Sequence, residues 1–399
     1  MALSAIKQME ELARSMPDVI SLSQGIPSSP SDTVIRESVI NAIRSDMVDK
    51  YSAVAGLPEL RELISNKLKE NGMIYRAEDE IIVTAGAMQA LSATIFALTR
   101  PGDEIIVLTP TYSYYRRIAE LASLKIKTLV LQEHNKWKID FDTLQKMITK
   151  KTKILVMCNP NNPTGSIVSK KEMIRIGILA QKYGFIIISD DVYQSLYFGE
   201  GKLPSIAEDE SLRKHIVRIV SLSKDYSLTG WRIGFLHADK SVVSKIFETH
   251  DLLINCAPVV SQYAGLVALE NSERITQESL RKFSEHRMLM GNYLETLRDH
   301  LDFQWPDGAY YFFPKIKGVT NSVKFCIDLL NNARLSTVPG SEFGEGGEGH
   351  IRLCFGKSKE EIIEGMDRLK NYLVYNTYTQ NNYETSHFGI RITEEKAIA

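Results

Sequence analysis

Five short apolar runs that alternate with longer helical patterns limit this chain more than any other feature. They are Ile81–Val83, Ile105–Leu108, Ile154–Met157, Phe185–Ile188 and Ile216–Leu222. A strand with one wet face alternates apolar and polar residues, whereas a strand covered on both faces is apolar throughout. Continuous runs joined by helical segments therefore predict an α/β fold, a mostly parallel sheet sandwiched by helices. One unit reads residue by residue. A strand ending at Cys158 enters the loop Asn159-Pro-Asn-Asn-Pro-Thr-Gly165. A capping box, Ser169 to Glu172, then starts a helix stopped by Gly184, and the strand from Phe185 to Asp191 follows.

Beyond Glu273 the pattern becomes one long charged helix to about His300. Asp302–Phe313 and His350–Phe355 then read as strands, and Lys324–Asn332 and Lys359–Tyr375 as helices. That is a second, smaller α+β domain, in keeping with 399 residues being too many for one small core. Lys plus Arg (48) nearly cancels Asp plus Glu (49), so no global field draws the chain to nucleic acid or to an anionic membrane. Cys158, Cys256, Cys326 and Cys354 form no C-x-x-C pair. Free buried thiols are the expectation, with neither disulfide nor metal site. The N-terminus alternates apolar and charged residues, unlike a signal peptide, and no stretch reaches the roughly 20 apolar residues of a membrane span. A cytoplasmic location is expected.

Ligands of open α/β sheets sit beyond the carboxyl ends of the strands. After the first run, Thr84-Ala-Gly86-Ala87-Met88 opens a helix, whose unpaired amides and positive dipole end suit a phosphate. After the second come Tyr112, Tyr114 and Tyr115, any of which can stack on a planar ring. After Cys158, Asn162 lies between two prolines. Next, Asp190-Asp191-Val-Tyr193 puts a carboxylate and a phenol at a strand end. Ser221-Leu-Ser223-Lys224 ends another strand, with Arg232 eight residues on. Singly, each has an ordinary structural reading: packing tyrosines, a tight turn, a surface lysine. Together they supply an amine for a Schiff base, a carboxylate for a pyridine nitrogen, donors for a phenolate oxygen and a cup for a phosphate. That is what pyridoxal 5'-phosphate needs to act as an electron sink.

The ordered motifs N-P-x-N-P-T-G, D-x-x-Y and S-x-S-K with its following arginine resemble those of the fold type I aminotransferases of class I and II, the aspartate and aromatic aminotransferase family. The likeness runs from Leu22-Ser-Gln-Gly25-Ile-Pro27 to Ile351-Arg352-Leu353. It implies an aminotransferase that moves the amino group of an L-amino acid to a 2-oxo acid by a ping-pong mechanism. Lys224 is then the cofactor's lysine and proton shuttle, and Asp190 the partner of the pyridine nitrogen. Tyr193 and Asn162 bind the phenolate oxygen. Ala87, Met88, Ser221, Ser223 and Arg232 hold the phosphate, and Tyr112 stacks on the ring. Tyr51 reaches the phosphate of a second subunit, which makes the expected assembly a homodimer. Gly25 lies close to substrate, and Arg352 clamps its α-carboxylate. Residues 1–45 join the smaller domain, 46–284 form the large cofactor domain, 285–375 the small domain and 376–399 a tail.

Two departures stand out. Ala87 and Met88 replace hydroxyl residues in the phosphate cup, so binding there rests on backbone groups, and Asp191 stands where the family has glutamate. Ile26, Tyr112, Tyr311 and His350 are candidates for the side-chain pocket. The Gly344–Gly349 stretch fits a dinucleotide-binding spacing but precedes a strand, so a plain loop is expected. A lyase or oxidase on the same scaffold is the competing enzyme reading, and a non-catalytic binding module the more distant one.

Overall fold

The computed structural model describes residues 5–375; the expected tail, 376–399, lies outside the described residues. Its centre is a seven-stranded sheet. The strand order is Ile81–Thr84, Gly234–Ala238, Ile216–Ser221, Ile186–Asp190, Thr152–Cys158, Glu104–Thr109, Lys125–Val130. Gly234–Ala238 runs antiparallel to both of its neighbours, and the remaining pairings are parallel.

The reason the runs are continuous is visible within single strands. Ile105 and Val107 pack into one core and Ile106 and Leu108 into the other, on the opposite face. Ile154 and Val156 alternate with Leu155 and Met157 in the same way. Burying each such side chain contributes about 1.5–3 kcal/mol, so both faces specify register.

The helix Lys170–Tyr183 shows how the local code is executed. The Ser169 hydroxyl accepts from the Glu172 amide at 3.3 Å, and the Glu172 carboxylate accepts from the Ser169 amide at 2.9 Å. Gly184 closes the helix at φ 75°, a left-handed conformation that suits glycine. Met173, Ile176 and Ala180 turn inward. The expected long helix runs Ser272–Glu295 and stops short of His300, because a turn through Leu297 leads into the strand Leu301–Asp302.

The later part of the chain forms a three-stranded antiparallel sheet with Ile351–Cys354 between Tyr311–Phe312 and Val338–Pro339. Near the N-terminus, Ile20–Ser21 pairs with Leu335–Ser336. The Leu22 carbonyl then accepts from the Cys354 amide at 2.9 Å. This stitching carries Ser23 to Gly25 alongside Arg352 and over the carboxyl edge of the large sheet. Two strands of the seven-stranded sheet were not anticipated from sequence. Lys125–Val130 is a partly exposed edge, and Gly234–Ala238 hides His237 in a fully buried run.

Candidate active site

A cavity of about 310 Å³ opens at the carboxyl edge of the large sheet. It gathers residues flagged from every strand end: Gly25, Ala87, Met88, Tyr112, Asn162, Asp190, Tyr193, Ser221, Ser223, Lys224, Arg232 and Arg352. Ile26 and Tyr311 line it too. One expectation concerns a second subunit, and another does not fit. Tyr51 lies outside the cavity and is 82% exposed. His350 is not at the pocket. Its ring stacks on Phe313 at 4.7 Å and its Nε2 lies 3.3 Å from Glu133.

Asp190 ends its strand with the carboxylate buried. Oδ2 accepts from the Tyr115 hydroxyl at 2.6 Å, while Oδ1 is buried with no hydrogen-bond partner. Burial pushes its pKa up to about 6; the Tyr115 bond draws it down and Asp191 adds to the rise. Asp191 cannot substitute for it. That side chain pairs with Arg218 and accepts from Ser189 at 2.6 Å, in the layer behind the pocket. Tyr115 was legible in the sequence only as one of three rings able to stack, not as the partner of Asp190. It lies in the first turn of the helix Tyr114–Leu121 and packs edge-on against the Tyr112 ring at 5.8 Å.

Lys224 directs its amine to the Gly25 carbonyl, 2.8 Å away, and the Tyr310 hydroxyl donates to the same oxygen at 2.9 Å. Burial lowers the Lys224 pKa to about 8, with Arg352 and Arg232 lowering it further and Cys354 and Asp190 opposing. An amine poised there is deprotonated often enough near neutral pH to act as nucleophile and base.

The opposite end of the cavity is a cradle for an anion. Ala87 and Met88 are the first residues of the helix Ala87–Leu98, so their amides have no partner within it. Gly86 precedes them at φ 79°, and a Cβ there would come within 2.7 Å of Arg232 Nη2. Only glycine lets the guanidinium close on the helix start. Ser221 and Ser223 complete the rim, the Ser221 hydroxyl accepting from the Ser223 amide at 3.1 Å.

Arg352 is buried at 2% exposure. It donates to Asn162 Oδ1 at 2.9 Å and to the Ser23 carbonyl at 2.6 Å, and its Nε is buried without a partner. Tyr193 and Tyr311 bring their hydroxyls to 3.0 Å. No cluster able to hold a metal occurs among the described residues, and the four cysteines are free and buried.

These features fit one group. An unpartnered carboxylate oxygen would accept from a pyridine N–H, a helix start with an arginine would hold a phosphate, and a lysine amine lies in the same cavity. Fold and site together define a pyridoxal-phosphate-dependent transferase of the α/β type.

Comparison with known proteins agrees. The family model described as aminotransferase class I and II matches residues 17–369. An aspartate aminotransferase of Pyrococcus abyssi is 34% identical, with 93% of this chain and 95% of that one covered. An aromatic-amino-acid aminotransferase of Thermococcus litoralis is 31% identical over 93% of this chain and 95% of its own length. The solved structure of an aspartate aminotransferase from Thermotoga maritima superposes with a TM-score of 0.86 at 31% identity, covering 93% of this chain and 97% of that one. The chain belongs to the class I and II aminotransferase family. It is an aminotransferase that works with pyridoxal 5'-phosphate on amino acid and 2-oxo acid substrates.

Proposed function

We propose that the pocket carries out both half-reactions of transamination, amino acid to 2-oxo acid and back, with Lys224 as the cofactor's lysine. The observation that carries this is the buried, unpartnered Asp190 Oδ1 in the same cavity as the Lys224 amine. When bound, the cofactor supplies an aldehyde to carry the amino group and a protonated ring to take up electron density from the Cα–H bond. Asp190 holds the ring proton, with Tyr115 fixing the carboxylate. Tyr193 and Asn162 donate to the ring oxygen, for which Asn162 presents its amide N–H while its carbonyl stays with Arg352. The amides of Ala87 and Met88, with Ser221, Ser223 and Arg232, bind the phosphate, and Tyr112 covers the ring face. Arg352 grips the α-carboxylate shared by every substrate and product. Lys224 Nζ would be the base that takes the Cα proton and the acid that gives it back.

Arg352 and Gly25 come from the segments around the smaller sheet, so closure of a small domain, 1–45 with 285–375, on the large one, 46–284, would exclude water as it completes the site. We infer a homodimer in which Tyr51 reaches the partner's phosphate. The exposed apolar residues Ile40, Ile43 and Met47 leading up to it support a covered face. Four free buried thiols support a reducing, cytoplasmic setting. The side-chain half of the cavity offers Ile26, Met88, Leu91 and Tyr114 with Lys7 at its edge, surfaces that suit aromatic and acidic side chains alike.

The test is product stoichiometry. Incubating the enzyme with L-aspartate or L-phenylalanine and 2-oxoglutarate should yield glutamate and the matching 2-oxo acid in equal amounts, and no multiple turnover without an acceptor. Sustained ammonia release in the absence of any 2-oxo acid would favour the lyase or oxidase reading.

A further inference from the structure

We propose that Tyr311 is a positioning residue that ties the group holding the cofactor's ring oxygen to the group holding the substrate carboxylate. This rests on the proposed roles of Tyr193 and Arg352, and neither the motifs nor the relatives' names point to it. Tyr311 lies on the short strand paired with Ile351–Cys354, with Tyr311 opposite Cys354, so its ring crosses to the Arg352 side chain. It is buried, and its hydroxyl meets that of Tyr193 at 3.0 Å.

One hydrogen bond between two phenols has one donor. If Tyr193 spends its proton on the ring oxygen, its own oxygen is left as an acceptor, and Tyr311 must be the donor. Donation to a phenol oxygen makes that phenol a stronger donor in turn. Burial raises the pKa of both hydroxyls, Tyr311 to about 12, so both protons are present. The titratable groups around Tyr311 include Tyr112, Tyr193, Tyr310, Cys354 and Arg352.

The ring performs the second task. Arg352 Cζ lies 4.4 Å from its centroid, so one face of the guanidinium is covered while its edge is held by Asn162 and Ser23. A covered face leaves the in-plane fork as the way a carboxylate can approach. The backbone at Gly25 fixes how far the hydroxyl can swing. A Cβ there would come within 1.9 Å of the Tyr311 oxygen, so only glycine leaves room for it.

Two variants separate hydroxyl from ring. Tyr311→Phe keeps the ring on Arg352 and loses the donor, whereas Tyr311→Leu loses both. The first readout is the visible absorbance of substrate-free, cofactor-loaded enzyme as a function of pH. Donors to the ring oxygen stabilise the deprotonated cofactor–lysine linkage, so weakening the Tyr193 donor by taking away its own partner raises the midpoint. The second readout is the Kd of unreactive carboxylates, succinate and 3-phenylpropionate.

Tyr311→Phe should raise the midpoint by about half to one pH unit and change either Kd by less than about twofold. Tyr311→Leu should shift the midpoint similarly and weaken the carboxylates about 5- to 10-fold. An unmoved midpoint in Tyr311→Phe overturns the relay. Equal weakening of carboxylates by both variants overturns the division of labour and leaves Tyr311 as packing. The phenylalanine variant decides the relay even if the leucine variant does not fold. The wild-type titration in the same series tests the cofactor assignment itself. A wild type with no titrating absorbance would sink that reading along with this one, whereas a normal wild type beside an unmoved Tyr311→Phe rejects only the role of Tyr311.

Discussion

Asp190→Asn should stabilise the cofactor-free protein and disable the loaded one. The carboxylate lines the pocket with one oxygen on Tyr115 and the other without a partner, and its pKa rises from 3.8 to about 6, chiefly through burial. The sign follows from linkage. A carboxyl that binds its proton more tightly when folded destabilises the folded state once it ionises, so stability falls as pH rises from the unfolded to the folded pKa. A shift of about two units at about 1.4 kcal/mol each gives about 3 kcal/mol as the largest penalty above pH 6. Asparagine has the same shape and no charge. Thermal scans of the cofactor-free proteins should therefore show the variant melting several degrees higher at about pH 8, and the gap should close by about pH 4. On the proposed assignment the same change removes the anion that keeps the ring nitrogen protonated. Losing one member of a buried charged pair costs about 3–5 kcal/mol, so kcat should fall by about 150- to 5,000-fold. A kcat within about tenfold of wild type, or a melting gap that ignores pH, would refute the reasoning.

Two other perturbations probe the remaining contacts. Arg352→Lys keeps the charge but loses the planar fork, so kcat/KM should drop for amino donor and 2-oxo acceptor alike by about 2–4 kcal/mol with cofactor affinity unchanged; stopped-flow traces of both half-reactions decide it, and unaffected rates would remove Arg352 from the substrate. Light scattering should give twice the chain mass of 45.0 kDa, and Tyr51→Phe should weaken cofactor binding about 5- to 30-fold while leaving that mass unchanged. An active monomer would return Tyr51 to the surface.

The large sheet was legible because its strands are buried on both faces and so announce themselves as apolar runs. Lys125–Val130 was missed for the converse reason: a charged edge strand carries little apolar signal. Gly234–Ala238 was missed because His237 interrupts it and because no local rule marks the one strand that reverses direction. The site residues at strand ends were legible through motif spacing, as the common location of Lys224, Asp190 and Arg232 shows. Contacts between distant segments were not. Tyr115 bonds to a carboxylate 75 positions away, and Tyr193 to a phenol 118 positions away, separations at which sequence pattern is silent. His350 was misplaced on the same account, since its neighbour Glu133 is 217 residues distant. Burial also assigned the two adjacent carboxylates. Asp191 is consumed by Arg218, and only Asp190 faces the cavity.

One covalent bond is decisive, the one between the cofactor and the Lys224 amine. Purified protein should be yellow, and borohydride should abolish the visible absorbance by fixing the cofactor to its lysine. Digestion and mass spectrometry should then find the phosphopyridoxyl group on the peptide spanning Ser223-Lys224-Asp225, and Lys224→Ala should carry none. The group on any other lysine, with Lys224 unmodified, would contradict the site described here.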